Sequence, residues 1–159
     1  MILSLSRPWD WAVFDDIARK HIDNRPWAPR SEATIGQVIA LQSADSWDPY
    51  AIGHFRTLNI THHPARYDQY PRGIIRGIIR GVVTLERVVH KAGEPQPNRA
   101  WIADPSILPP DQQRWFFGRF GLVFTNVRRL GSPVRCGGVQ GLRQLSPEVE
   151  RAVTEALPP

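Results

Sequence analysis

Arg19-Lys20-His21-Ile22-Asp23-Asn24-Arg25-Pro26-Trp27 is the stretch that decides how this chain is organised. Lys20, Asp23 and Arg25 fall within six positions, after an amphipathic segment and before a Pro-Trp pair. Two cations with a carboxylate between them, fenced by Trp27 and preceded by Trp9 and Trp11, make an anion-binding corner. The carboxylate can orient the Arg25 guanidinium, whose planar fork suits a phosphate or a base edge. The plainer alternative is that these charges are solvated and that Arg25 pairs only with Asp23. In an extended segment Asp23 and Arg25 share a face. On this reading Arg25 belongs to a cleft, so Arg25→Ala is predicted to reduce binding and leave the thermal midpoint nearly unchanged.

Outward from that corner, Ile2 to Leu5 predicts a short buried first strand. Ser6 is placed to cap a helix with Pro8 in its first turn. Trp9, Val13 and Ile17 recur at helical spacing, with Asp15 and Asp16 on the outer side. Thr34 to Gln42 is apolar on both faces, which predicts a central strand ending at Ser43. The next stretch, 46–72, holds a helix start at Asp48-Pro49 and three histidines, His54, His62 and His63. Their spacing matches no metal-ligand pattern, so no metal and no cofactor are predicted. Tyr67 and Tyr70 flank a polar loop and are placed to stack on bases or to pack on the domain.

Gly73, Gly77 and Gly81 would weaken a helix, so 71–89 is predicted as an extended strand. Arg72, Arg76 and Arg80 then share one face, either as a phosphate-tracking ridge or as edge-protecting charges. Residues 93–110 predict a long proline-rich loop whose Trp101-Ile102 pair must dock. Trp115 to Arg129 predicts a turn and a strand, Gly137-Gly138 a turn, and Val139 to Leu145 a closing strand. Ser146-Pro147-Glu148 starts a last helix, 147–157, with one apolar stripe.

The chain has 159 residues, enough for one domain with a real core. Its formal charge is +5 and Lys occurs only at 20 and 91, so arginine carries the positive balance. Such a balance favours phosphate-bearing partners. Cys136 is the only cysteine, which rules out an internal disulfide and suits a reducing compartment. With no signal-peptide pattern and no apolar run of membrane-spanning length, a cytoplasmic location and no membrane association are expected.

The opening Leu3-Ser4-Leu5-Ser6-Arg7-Pro8-Trp9-Asp10-Trp11-Ala12, followed by Lys20-x-x-Asp23-x-Arg25, resembles the ASCH domain, a branch of the PUA-like superfamily. That family carries Gly-x-Lys-x-x-Glu-x-Arg after its first helix; here Asp23 replaces the Glu and Ala18 the Gly. The similarity resumes at Gly77 to Leu85 and again from Trp115 to Leu145, although Arg143 stands where the family has Trp. The resemblance implies an α+β fold, a small twisted PUA-like β-barrel with flanking helices. It spans 1–159 as one domain, with 46–72 as the family-atypical insertion.

What the resemblance implies for function is nucleic-acid binding, to RNA or to a single-stranded or modified base. The cleft residues would be Arg7, Trp9, Lys20, Asp23, Arg25, Trp27 and Ser43, with Arg76 and Arg80 beyond. An enzyme is the alternative, because some ASCH-type proteins are similar to amidohydrolases of acetylated cytidine and others to ribonucleases. Lys20 would then be the catalytic base or nucleophile. The hydrolase branch has Thr where Asp23 stands, and its second carboxylate has no clear match; Glu86 and Asp111 are the candidates. A protein-interaction module presenting Trp47, Tyr50 and Trp101 is the third reading.

Overall fold

The computed structural model describes residues 1–64, 77–91, 93 and 99–159. It is an α+β protein in which a strongly curled mixed sheet forms a half-barrel. The strands are β1 (Ile2–Arg7), β2 (Ile22–Arg25), β3 (Val38–Trp47), β4 (Ile78–His90), β5 (Ile102–Ala103), β6 (Phe120–Arg135) and β7 (Leu142–Arg143). The helices are α1 (Trp9–Phe14), α2 (Tyr50–Thr57), α3 (Pro110–Gln113) and α4 (Pro147–Ala156).

The sheet order is β2-β6-β4-β3-β1-β7, with β5 added in parallel to the far end of β4. β1 and β3 run parallel, and the other neighbours on the main path are antiparallel. β4 is the spine, and both of its faces are apolar because both are covered. Val83, Leu85 and Val88 join Leu3, Leu5, Ile39, Leu41, Leu122 and Phe124 inside the curl. Ile79 and Val82 pack outward with Ile2 and Ala40 beneath α4, which contributes Val153 and Val149, with Leu157 just past its end. Gly81 is required here: a Cβ on it would lie 2.3 Å from Phe14 Cε1 and 2.4 Å from the Arg128 carbonyl oxygen.

Several boundaries differ from the sequence expectation, each for a local reason. The strand expected from Thr34 starts at Val38, because a Ser31-capped turn and Gly36, at φ +82°, occupy the preceding residues. It then runs past Ser43 to Trp47. Ser6 caps nothing: β1 continues through Arg7, and α1 begins at Trp9 with no side-chain cap. That helix ends after six residues, so Ile17 is exposed and does not extend an apolar stripe. Asp15 instead accepts the backbone N–H groups of Ile17 and Ala18 and meets His62 at 2.9 Å.

The closing strand shrinks to Leu142–Arg143, paired with Leu3 and Ile2. Ile102 docks as expected, in register with Val88. Ser146 accepts from Val149 N at the start of α4. Segment 71–76, with Arg72 and Arg76, and Tyr67 and Tyr70 lie outside the described residues. Among the described residues, no helix is long and apolar enough to cross a membrane.

Candidate functional site

Lys20, Asp23 and Arg25 do converge. They line a small cavity of about 150 Å³ together with Ser6, Trp9, Asn24, Asp48 and Phe117. Lys20 lies just before β2, and Asp23 and Arg25 lie on it, paired with Leu122 and Phe120 of β6. Strand alternation puts both side chains on one side, where Arg25 Nε donates to Asp23 Oδ2 at 2.5 Å. Arg25 Nη2 donates to the Ser4 carbonyl of β1 at 2.5 Å. The guanidinium therefore reaches across the open side of the half-barrel.

Lys20 is almost wholly buried, at 2% exposure. Its Nζ donates to the Ile22 carbonyl and lies 5.2 Å from the centre of the Trp9 ring. Burial pulls its pKa down from the ordinary 10.5 to about 8; Asp23 raises it and Arg25 lowers it further. A buried cation costs folding free energy unless it is fully compensated.

Trp9 forms one wall, fixed by its Nε1–H donating to Asp48 Oδ2 at 2.7 Å. Asp48 Oδ1 in turn accepts Tyr50 N at the start of α2. The 46–57 part of the atypical segment thus builds the site, and Asp48 is a second carboxylate in it. Glu86 and Asp111 line a different cavity, of about 240 Å³, with His21.

Phe117 forms the lip and is half exposed. Its position is set by Asn24, whose Oδ1 accepts Phe117 N at 3.0 Å and Gly118 N at 2.8 Å. Asn24 Nδ2 donates to the Trp115 carbonyl at 2.8 Å. A Cβ at Gly118 would come within 2.7 Å of Asn24 Cβ, so only glycine allows this close approach. His54 of α2 packs behind, 4.6 Å from Phe117 and 5.6 Å from Trp115 between ring centres. Burial, and then the Lys20 charge, lower its pKa.

Four other expected residues lie elsewhere. Arg7 is fully buried, because β1 extends to it, and of that strand only Ser6 lines the cavity. Ser43 is also buried, its Oγ donating to Asp10 Oδ2 at 2.5 Å. Arg80 turns to the same Asp10 carboxylate at 3.5 Å and lies over Phe14, so it forms no outward ridge. Trp27 lines a separate cavity of about 500 Å³, with Arg25 Cζ 5.6 Å from its ring centre.

The histidines split up: His62 joins Asp15, His63 packs on Phe55 and His54 stays behind the site. Among the described residues, no three His, Cys, Asp or Glu are grouped to hold a metal ion. Tyr50 is exposed, whereas Trp47 and Trp101 are half-buried.

Comparison of the chain with known protein families and with curated protein sequences finds no match.

Proposed function

We propose that the chain is an ASCH-type, PUA-like domain that binds single-stranded nucleic acid by taking one unpaired or modified base into the Lys20 pocket. The observation that carries this reading is the convergence of Lys20, Asp23, Arg25, Trp9 and Phe117 on one cavity of about 150 Å³. Aromatic rings accept the π-face of any base, while Lys and Arg supply the salt-sensitive phosphate attraction. The carboxylates of Asp23 and Asp48 accept hydrogen bonds from a base's amino or imino edge. RNA is the favoured partner, as the ASCH resemblance implies. Titrating a labelled RNA oligonucleotide at several salt concentrations tests the reading. The expected log–log slope is about −0.7 per phosphate contact. A flat salt dependence, or no binding at all, removes the proposal.

One observation favours the hydrolase as a second reading. With a pKa of about 8, the Lys20 amine is partly neutral near neutral pH, as a general base or nucleophile must be. Asp48 supplies the second carboxylate in the same cavity. Asp23 in place of the hydrolase branch's Thr weighs against it, so acetylated cytidine and plain RNA are expected to be recovered unchanged by chromatography. Product formation that disappears in Lys20→Ala would promote the enzyme over the reader.

A further inference from the structure

The Lys20 pocket has room for a single base, and a strand that enters it must leave past its rim. Arg25 forms part of that rim. On its other side stands Trp27, which lines the cavity of about 500 Å³, more than three times larger. This larger space lies between the segment after β2 and the short edge strand β7, so it borders the open side of the half-barrel. Arg30 and Arg143 face it from the two banks, with Gln140 and Ser31 as further hydrogen-bonding groups.

The charge of this cavity separates it from the others. Among the described residues no carboxylate lines it, and both arginines are exposed. The cavity of about 570 Å³ beside α1 sets Asp15 and Asp16 against Arg19 and Arg129. The one of about 240 Å³ carries Glu86 and Asp111. Of these cavities, the one beside Trp27 is lined, among the described residues, by two arginines and an aromatic ring with no carboxylate, the pairing that holds a phosphate and stacks a base.

We propose that this cavity is a flanking subsite that holds the nucleotide adjoining the one in the Lys20 pocket. The strand would pass over the Arg25–Trp27 contact, with its phosphates against Arg30 and Arg143 and a base against Trp27. The site would then read at least two nucleotides, and the second with little sequence preference. This rests on the nucleic-acid reading of the Lys20 pocket.

The test uses a fluorescein-labelled single-stranded RNA heptamer of mixed sequence, titrated against the full chain at several salt concentrations. The double variant Arg30→Ala/Arg143→Ala is expected to bind more weakly, with a salt slope shallower by about 1.4, two contacts at 0.7 each. Trp27→Ala is expected to weaken binding roughly tenfold or more. Both should keep the circular dichroism spectrum of the parent. A folded double variant with unchanged affinity and slope would overturn the flanking subsite while leaving the Lys20 pocket intact. If the unaltered chain binds no heptamer, the nucleic-acid reading and this subsite fall together. Binding that survives Lys20→Met but not the double variant would make the large cavity an independent site and overturn the flanking relation.

Discussion

Replacing Lys20 with methionine is expected to stabilise the protein at pH 7 by about 1–2 kcal/mol while abolishing ligand binding. The expectation follows from the buried ammonium. Its pKa falls from 10.5 to about 8 on folding, chiefly through burial. The unfolded chain therefore holds one more proton than the folded chain between roughly pH 8 and pH 10.5, and stability rises with pH in that window. Below pH 8 both states are protonated, and the whole penalty stands. A shift of about 2.5 units corresponds to about 3 kcal/mol as an upper figure. Methionine keeps the length of the side chain and its contact with Trp9, but it leaves the Ile22 carbonyl without its donor, which takes back part of the gain. Replacing a buried charge with an apolar group of similar volume is often neutral or stabilising. Urea unfolding of both proteins at pH 7 and pH 10 checks this. The variant's advantage should shrink, then reverse, as pH rises. A variant that is less stable at pH 7, by a margin that does not change with pH, would show that the ammonium is fully compensated in the fold. The expected result makes Lys20 a residue that costs stability and that the ligand requires.

The Lys20–Arg25 corner was legible because its geometry is local. Once β2 is extended, the parity of Asp23 and Arg25 follows from the sequence. The other half of the pocket was hidden because it is distant along the chain. Asp48 arrives just ahead of α2, and Phe117 through the Asn24-held turn before β6. Asn24 sits inside the motif itself, and an amide there was a signal for a backbone-binding side chain. Arg7 was misplaced because a helix cap at Ser6 would have freed it, whereas two more strand residues bury it. Ser43 and Arg80 were drawn off by Asp10, a carboxylate that α1 holds buried. For the fold, the two-sided apolar run of β3 and the stripe of α4 were both readable, since each pattern survives a shifted boundary. The closing strand was readable but its length was not, because only two residues of 139–145 pair, and pairing depends on β1 alone.

Arg25→Ala is expected to lose both binding and about 2–3 kcal/mol of stability, against the near-unchanged midpoint that the sequence suggests for a cleft arginine. The difference lies in what its two nitrogens hold. Nε binds Asp23 on its own strand, and Nη2 binds the Ser4 carbonyl of β1, which is four places away from β2 in the sheet order. The side chain therefore ties one edge of the half-barrel to the far side, where backbone ladders do not reach. Alanine removes both bonds and takes from the buried Asp23 its hydrogen-bonded cation, leaving the charge of Lys20 beside it. Hydrogen bonds that involve charged groups contribute about 1.5–3 kcal/mol, and a deserted buried acceptor costs more than an exposed one. For a chain of this size the thermal midpoint should fall by roughly 5–10 °C. Arg25→Lys supplies a compact charge that can serve Asp23 or Ser4 but lacks the fork to hold both. It should recover part of the stability and little of any bidentate ligand contact. Thermal melts of the three proteins beside RNA titrations separate the roles. If Arg25→Ala melts within a degree of the parent and only binding is lost, the bridge to Ser4 contributes nothing, and Arg25 serves the ligand alone.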